Sequence, residues 1–186
     1  MDYFVAILVG LGLAELATMI TTIYLHRVLS HKSIELHPVM TFFIRVGTWM
    51  LTSISPREWV AVHRKHHNFT DVEGDPHSPH IEGYWKIMLA NVYYYRREAN
   101  NDGTLQKYAS DLPHDRLDRV LLERGALGFA LTGLLLVMLM GLGPGLTAIS
   151  TLAVVYLLLS AAINGVATPS GTRASITTRP TSGSWP

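Results

Sequence analysis

The chain contains no cysteine. That excludes a disulfide framework and every structural zinc site built on thiolates, and it fits a reducing compartment without proving one. It also lacks an HExxH pair, so the usual zinc-protease arrangement is absent. With a formal net charge of +1, no basic stripe and no reader motif, it offers no nucleic-acid surface. Charge is scarce in particular places as well. No basic region precedes the first apolar run, no small-residue cleavage site follows it, and the stretch 143–145 carries no charge. A cleaved leader is therefore not expected at the start of the chain.

What the sequence has instead is apolar length. Residues 3–25 form one hydrophobic run broken only by Glu15 and a few threonines. At 1.5 Å per residue a helix of that length covers about 35 Å, enough to cross a bilayer. Residues 126–142 and 146–166 form a second apolar pair around Gly143, Pro144 and Gly145, which reads as a helical hairpin. With 48% hydrophobic residues in 186, the expected fold class is an all-α integral membrane protein. Twelve of the fifteen Lys and Arg fall in 27–32 and 57–124, so the positive-inside rule puts these stretches on the cytoplasmic side.

The remaining signal is histidine. His26 and His31 close the first run in HRVLSH, and His63, His66 and His67 lie in HRKHHNFTD. In a helix, residues three and four apart share a face, so the second block can aim three imidazoles at one point, a metal-binding pattern. The bland alternative is a pair of basic surface stretches. His26 and His31 are five apart, too far for one face of an ideal α-helix, so a helix end or bend is expected there. Residues 39–54 are apolar but number only sixteen. One crossing would put the two histidine blocks on opposite sides of the membrane, and sixteen residues cannot cross twice, so an interfacial helix is expected.

Smaller features leave alternatives open. Glu15 shares a helical stripe with positions 19, 22 and 26, which allows a polar role beneath His26. It could equally pair with a threonine of another helix or with Arg45. In GDPHSPH, Asp75 and, before it, Asp71 are candidates to hold a ligand imidazole from behind. His77 and His80 are either additional ligands or plain loop histidines. Residues 84–97 interleave aromatic and basic side chains, as an interfacial helix on anionic lipid would, or as a site for a phosphate-bearing head group.

HRVLSH at the end of a span, REWVAVHRKHHNFTD with its first histidine 32 residues on, and then DPHSP resemble the membrane-bound fatty acid desaturases, particularly the acyl-CoA delta-9 type. The resemblance runs from about 21 to 166. It implies two non-haem iron ions on the cytosolic side, dioxygen as oxidant, and a double bond introduced into a fatty acyl chain. The carrier would be CoA, acyl carrier protein or a lipid, with electrons from a ferredoxin or a cytochrome b-type donor. His26, His31, His63, His66 and His67 match the family's first two histidine boxes, and Asn164 in AINGV matches an asparagine that reaches the metal through water. A related membrane di-iron hydroxylase or sterol oxidase uses similar boxes. A non-catalytic membrane metal-binding protein is a third reading, disfavoured because the histidines lie at or beyond the membrane face rather than inside spans.

Two departures qualify the resemblance. One span precedes His26 where the family has a hairpin, and the third histidine box is missing, with Thr168 where a histidine is expected. Residues 1–166 therefore read as a partial desaturase domain. Residues 167–186, rich in Ser, Thr and Pro and devoid of acidic groups, read as a disordered tail. An out-of-frame origin explains it: one inserted G before codon 167 permits Gly-His, then Gly-Tyr. Such a chain is expected to be inactive alone or to bind metal incompletely.

Overall fold

The computed structural model describes residues 2–166, with side chains as far as Ala162; the tail 167–186 lies outside the described residues. Among them every regular element is helical. α1 (Tyr3–Ile20) starts where the Asp2 carboxylate caps the Phe4 N–H at 3.1 Å. It winds without interruption into a π-helical stretch, Thr21–Ser30, so the first continuous helix is Tyr3–Ser30. Then follow α2 (Pro38–Thr52), α3 (Pro56–Phe69), the single turn α4 (Pro79–Glu82), α5 (Tyr84–Ala99, bent at Ala90), α6 (Asp102–Tyr108), α7 (Gly125–Met140) and α8 (Leu142–Val166). A short π-helical turn, Asp118–Leu122, leads into α7.

Tyr3–Ser30 and Leu142–Ala162 are each long and apolar enough to cross a membrane. They pack along a line of small residues. Ala6, Gly10, Ala14 and Ala17 of α1 are all buried, and a side chain at Gly10 would collide with the Ala148 carbonyl and Thr151 of α8. Without water to drive association inside a bilayer, such close backbone approach and its dispersion contacts hold spans together. The apolar core between the spans is Ala14, Ala17, Ile20, Leu51, Leu152 and Tyr156. A second cluster, Val60, Ala61, Tyr108, Ala109 and Leu112, underlies the histidine-bearing α3.

Two expectations change and one is filled in. The hairpin turns at Gly141 (φ 87°), and Gly143, Pro144 and Gly145 belong to the first turn of α8. Glycine takes the left-handed conformation at no steric cost, whereas proline is tolerated in a helix's first turn. α2, expected as an interfacial or partly immersed helix, packs inward as well. Its C-terminal half packs on α7 and α1, where Thr132 donates to the Met50 carbonyl (2.9 Å) and the Trp49 indole to the Arg124 carbonyl (3.0 Å). The first turns keep Val39, Met40, Phe42 and Phe43 exposed, an edge suited to lipid. Finally, Arg45 does not meet Glu15. It is gripped by Asp115 (2.8 and 2.9 Å) and Asp118 (2.7 Å) from the segment before α7, because Glu15 faces outward from α1.

Candidate metal centre

His26 and His31 meet because the helix widens. A π-helix closes its hydrogen bonds over five residues, and the His31 N–H donates to the His26 carbonyl at 3.0 Å. The same winding lets the Ser30 hydroxyl donate to the Leu25 carbonyl at 2.8 Å. Five residues thus become one turn, and the two rings stand edge to face with centroids 4.5 Å apart. The sequence expectation of a bend is met by a change of pitch rather than by a break.

α3 brings two imidazoles to the same place. His63 and His67, four residues apart, point their Nε2 atoms at one another across 3.0 Å. Two nitrogens bound at right angles to one metal at about 2.1 Å would stand roughly 3 Å apart. His26 lies 4.8 Å from His63, and His31 lies 5.0 Å from His67, centroid to centroid. One donor nitrogen from each of the four falls within 4.8 Å of all the others. Trp59 stacks on His63 at 4.6 Å and 18°, fixing its plane. Burial pushes His63 down to about 2, and the neighbouring imidazoles add to the shift. His67 is lowered for the same reasons, burial first and then His31. Both rings are therefore neutral at physiological pH, the state a metal requires.

The third histidine of that block turns elsewhere, which corrects the picture of three imidazoles at one point. His66 sits one residue off the His63–His67 stripe, and its Nδ1 lies 2.9 and 3.0 Å from the two oxygens of Asp75. Burial would raise the Asp75 pKa. The hydrogen bond from His66 and the backbone N–H groups of Asp71 (2.9 Å) and His77 (3.1 Å) outweigh it and hold the carboxyl below its usual value. An ionised carboxylate only accepts, so Nδ1 carries the proton and Nε2 of His66 is left free as a donor to metal. His77, buried, stacks on His66 at 4.7 Å and 17°, and His66, Asp75 and His77 form a second group with metal-compatible spacing.

The remaining candidates disperse. Asp71 accepts from the Ser78 hydroxyl at 2.7 Å and lies 3.8 Å from His80, so it does not support a box histidine. His80 joins neither group. Glu15 is exposed on α1 and belongs to neither group of metal-compatible donors. Asn164 lies in the last turn of α8, and its side chain is outside the described residues.

Sequence reasoning missed what locks the two blocks together. Arg64, inside HRKHH, donates to the carbonyls of Leu29 (2.8 Å) and Tyr108 (2.8 Å) and forks onto Asp111 (2.6 and 3.2 Å). The end of the first span is thereby tied to α3 by a side chain flanked by ligand histidines. Lys32 reaches the same Asp111 at 2.9 Å, and Lys65 ties α3 to α5 through Glu98 at 2.8 Å. Two cations flanked by histidines were the available signal.

Beside the four histidines opens a cavity of about 310 Å3, with Leu51, Phe129, Tyr156 and Leu157 among its apolar walls and His63 and His77 both lining it. Its polar lining includes Glu58, whose pKa burial raises despite the pull of Arg96.

A family model described as fatty acid desaturase matches residues 3–185, so the chain belongs to the fatty acid desaturase family. Over 76 residues it is 40% identical to a protein named Delta-9 desaturase-like 2 from Arabidopsis thaliana, covering 41% of this chain and 25% of that one. Over 66 residues it is 48% identical to Acyl-CoA 5-desaturase AL21 of Anemone leveillei, covering 35% of this chain and 20% of the relative. A third relative is the Hex-5-enoyl-[acyl-carrier protein] acetylenase of Moorena producens, 28% identical over 116 residues, covering 52% of this chain and 36% of that protein. The chain thus spans a fifth to about a third of the length of these relatives. No solved structure matches. With its apolar spans and this family, it is a membrane protein.

Proposed function

We propose that this chain carries part of a desaturase centre that introduces a double bond into a fatty acyl chain. His26, His31, His63 and His67 would hold one iron, and His66, backed by Asp75, would hold the second, with Asn164 acting through water. The observation that carries the reading is the convergence of four imidazoles beside a largely apolar cavity. An all-nitrogen set of neutral imidazoles suits iron, and so does the carboxylate-backed His66. When bound, the iron pair would supply the oxygen-activating redox chemistry that an unactivated methylene requires. In the balanced reaction a CH2–CH2 unit, dioxygen, two electrons and two protons give a cis or trans CH=CH unit and two waters.

The protein's own share is placement. Trp59 holds the His63 plane and Arg64 ties the end of the first span to α3, while the cavity walls would line an acyl chain past His63 and their apolar packing would keep bulk water out. The carrier would be CoA, acyl carrier protein or a glycerolipid, the donor a ferredoxin or cytochrome b-type protein, and the histidines would face the cytoplasm. Because the third histidine box is absent, the chain alone is expected to hold metal with incomplete ligand sets and not to turn over; residues 167–186 are read as out of frame.

The test is to sequence the DNA beyond codon 166 and express the frame that restores a histidine box, then profile the host's acyl chains by mass spectrometry. New double bonds, lost in H63A, are the expected result. Hydroxylated chains, or no histidine-rich box within about 60 codons, would overturn the respective halves of the proposal.

A further inference from the structure

One wall of the large cavity holds a donor without an acceptor. Tyr95, on α5, lines the cavity, and its buried hydroxyl has no hydrogen-bond partner among the described residues. Buried tyrosine hydroxyls are usually bonded, so an orphan of this kind calls for an explanation. Glu58, Tyr156 and Arg96 stand close enough to influence its charge, yet none of them bonds to it. Burial pushes the phenol well above its ordinary value, so at physiological pH it keeps its proton to donate. The cavity walls divide by chemistry. Leu51, Phe129 and Leu157 supply apolar surface, whereas Glu58 from α3 and Tyr95 and Arg96 from α5 form a polar end. Arg96 is exposed, which marks that end as the one open to solvent.

A saturated acyl group offers C–H bonds along its whole length and one strong acceptor, the carbonyl oxygen at its head. We infer that Tyr95 is the positioning residue for that carbonyl, its ring turning on ligand entry so that the hydroxyl donates a hydrogen bond to the thioester or ester oxygen. This rests on the acyl-chain reading above and extends it by naming the end of the cavity that takes the substrate's head. An apolar wall by itself would let the chain slide by a methylene at little cost, because neighbouring CH2 groups are alike. A single directional bond at the head removes that freedom, as a few placed polar groups do in otherwise apolar pockets. His63 lines the same cavity from α3. With the carbonyl held at Tyr95, the cavity fixes how many methylenes separate it from His63, and the new double bond would fall at one position counted from the head.

The experiment uses the full chain in nanodiscs and two ligands that differ at one group, the lauroyl thioester of pantetheine and the matching thioether, in which CH2 replaces the carbonyl. Binding is measured by titration calorimetry against empty nanodiscs. Wild-type protein is expected to bind the thioester about tenfold more tightly than the thioether, the worth of one buried hydrogen bond. Tyr95→Phe should bind the two alike, at the affinity wild type shows for the thioether; a residue that merely packed would weaken both. Equal binding of the two by wild type, or a preference retained in Tyr95→Phe, overturns the inference and leaves the acyl-chain reading standing. If wild type binds neither ligand, the functional reading itself fails and the inference with it. Circular dichroism checks that the variant is folded. Should it not fold, the infrared band of an isotope-labelled thioester carbonyl bound to wild type decides: a shift to lower wavenumber than in alkane solution supports the bond, and an unshifted band overturns it.

Discussion

At the scale of single residues, Arg64 matters more than its setting suggested. It fills the gap between two histidines with a guanidinium whose planar fork satisfies two backbone carbonyls and a carboxylate together. Removing it leaves the Leu29 and Tyr108 carbonyls without that partner and frees the first histidine block from the second. Arg64→Ala is expected to destabilise the protein by about 2–4 kcal/mol in chemical or thermal unfolding and to weaken metal binding at the four-histidine site. Arg64→Lys should recover little of either, because a point charge cannot span the three acceptors. The partner reports the same contact through pH. The Arg64 hydrogen bonds hold Asp111 down to about 2, against burial that would raise it, with Lys32 assisting. A carboxyl whose folded pKa is depressed contributes stability in full above its unfolded value near 4. That contribution fades as pH falls from about 4 to about 2, so Asp111→Asn should flatten the acid limb of the unfolding curve in that window.

At the scale of elements, the π-helical winding of Thr21–Ser30 and the small-residue seam of α1 do the positioning. The seam sets how far the first span can approach α8, and hence where His26 arrives above it. Gly10→Leu would drive a side chain into the Ala148 carbonyl and Thr151. An overpacked site of this kind costs about 1–3 kcal/mol, and the expected outcome is a lower unfolding midpoint with a displaced His26 and weaker metal binding. Gly12→Leu, where an added side chain meets only open space, should be close to neutral and serves as the comparison. The histidine spacings were legible in the sequence, and so were the helices that carry them. The pitch that reconciles a five-residue step with one face was not, because hydrophobic periodicity cannot distinguish a wide turn from a bend. His66 is the converse case. Its spacing from His63 permitted a shared face, and a carboxylate nine residues on, brought back by the Asp71–Gly74 turn, drew it to a different group.

At the scale of the whole molecule, the two candidate spans pack with the apolar helices α2 and α7 in one layer, and α3, α5 and α6 build a second, more polar one, with the cavity reaching from one to the other. Positive charge gathers in the second layer and is absent from the Gly141 turn, which predicts the orientation. The cysteine-free chain makes this easy to test. Ser33→Cys should react with a membrane-impermeant thiol reagent only from the cytoplasmic side, and Leu142→Cys only from the other; the opposite pattern would reverse the assigned topology. On the proposed function, an acyl chain entering from the apolar layer would meet His63 at the boundary, while its head group stayed in the polar layer.

The sequence by itself determined the helical membrane class, the two histidine blocks and the family they resemble, because hydrophobic length and ligand spacing are local properties of a chain. Tertiary structure alone decided which imidazoles converge. It split five histidines into a group of four and a separate His66, added His77 beside the latter, and recruited Arg64 and Asp111 to join blocks 32 residues apart. Those outcomes depend on where helices cross and which carbonyls and carboxylates compete for a side chain, and such competition between distant segments leaves no periodic trace in the order of residues.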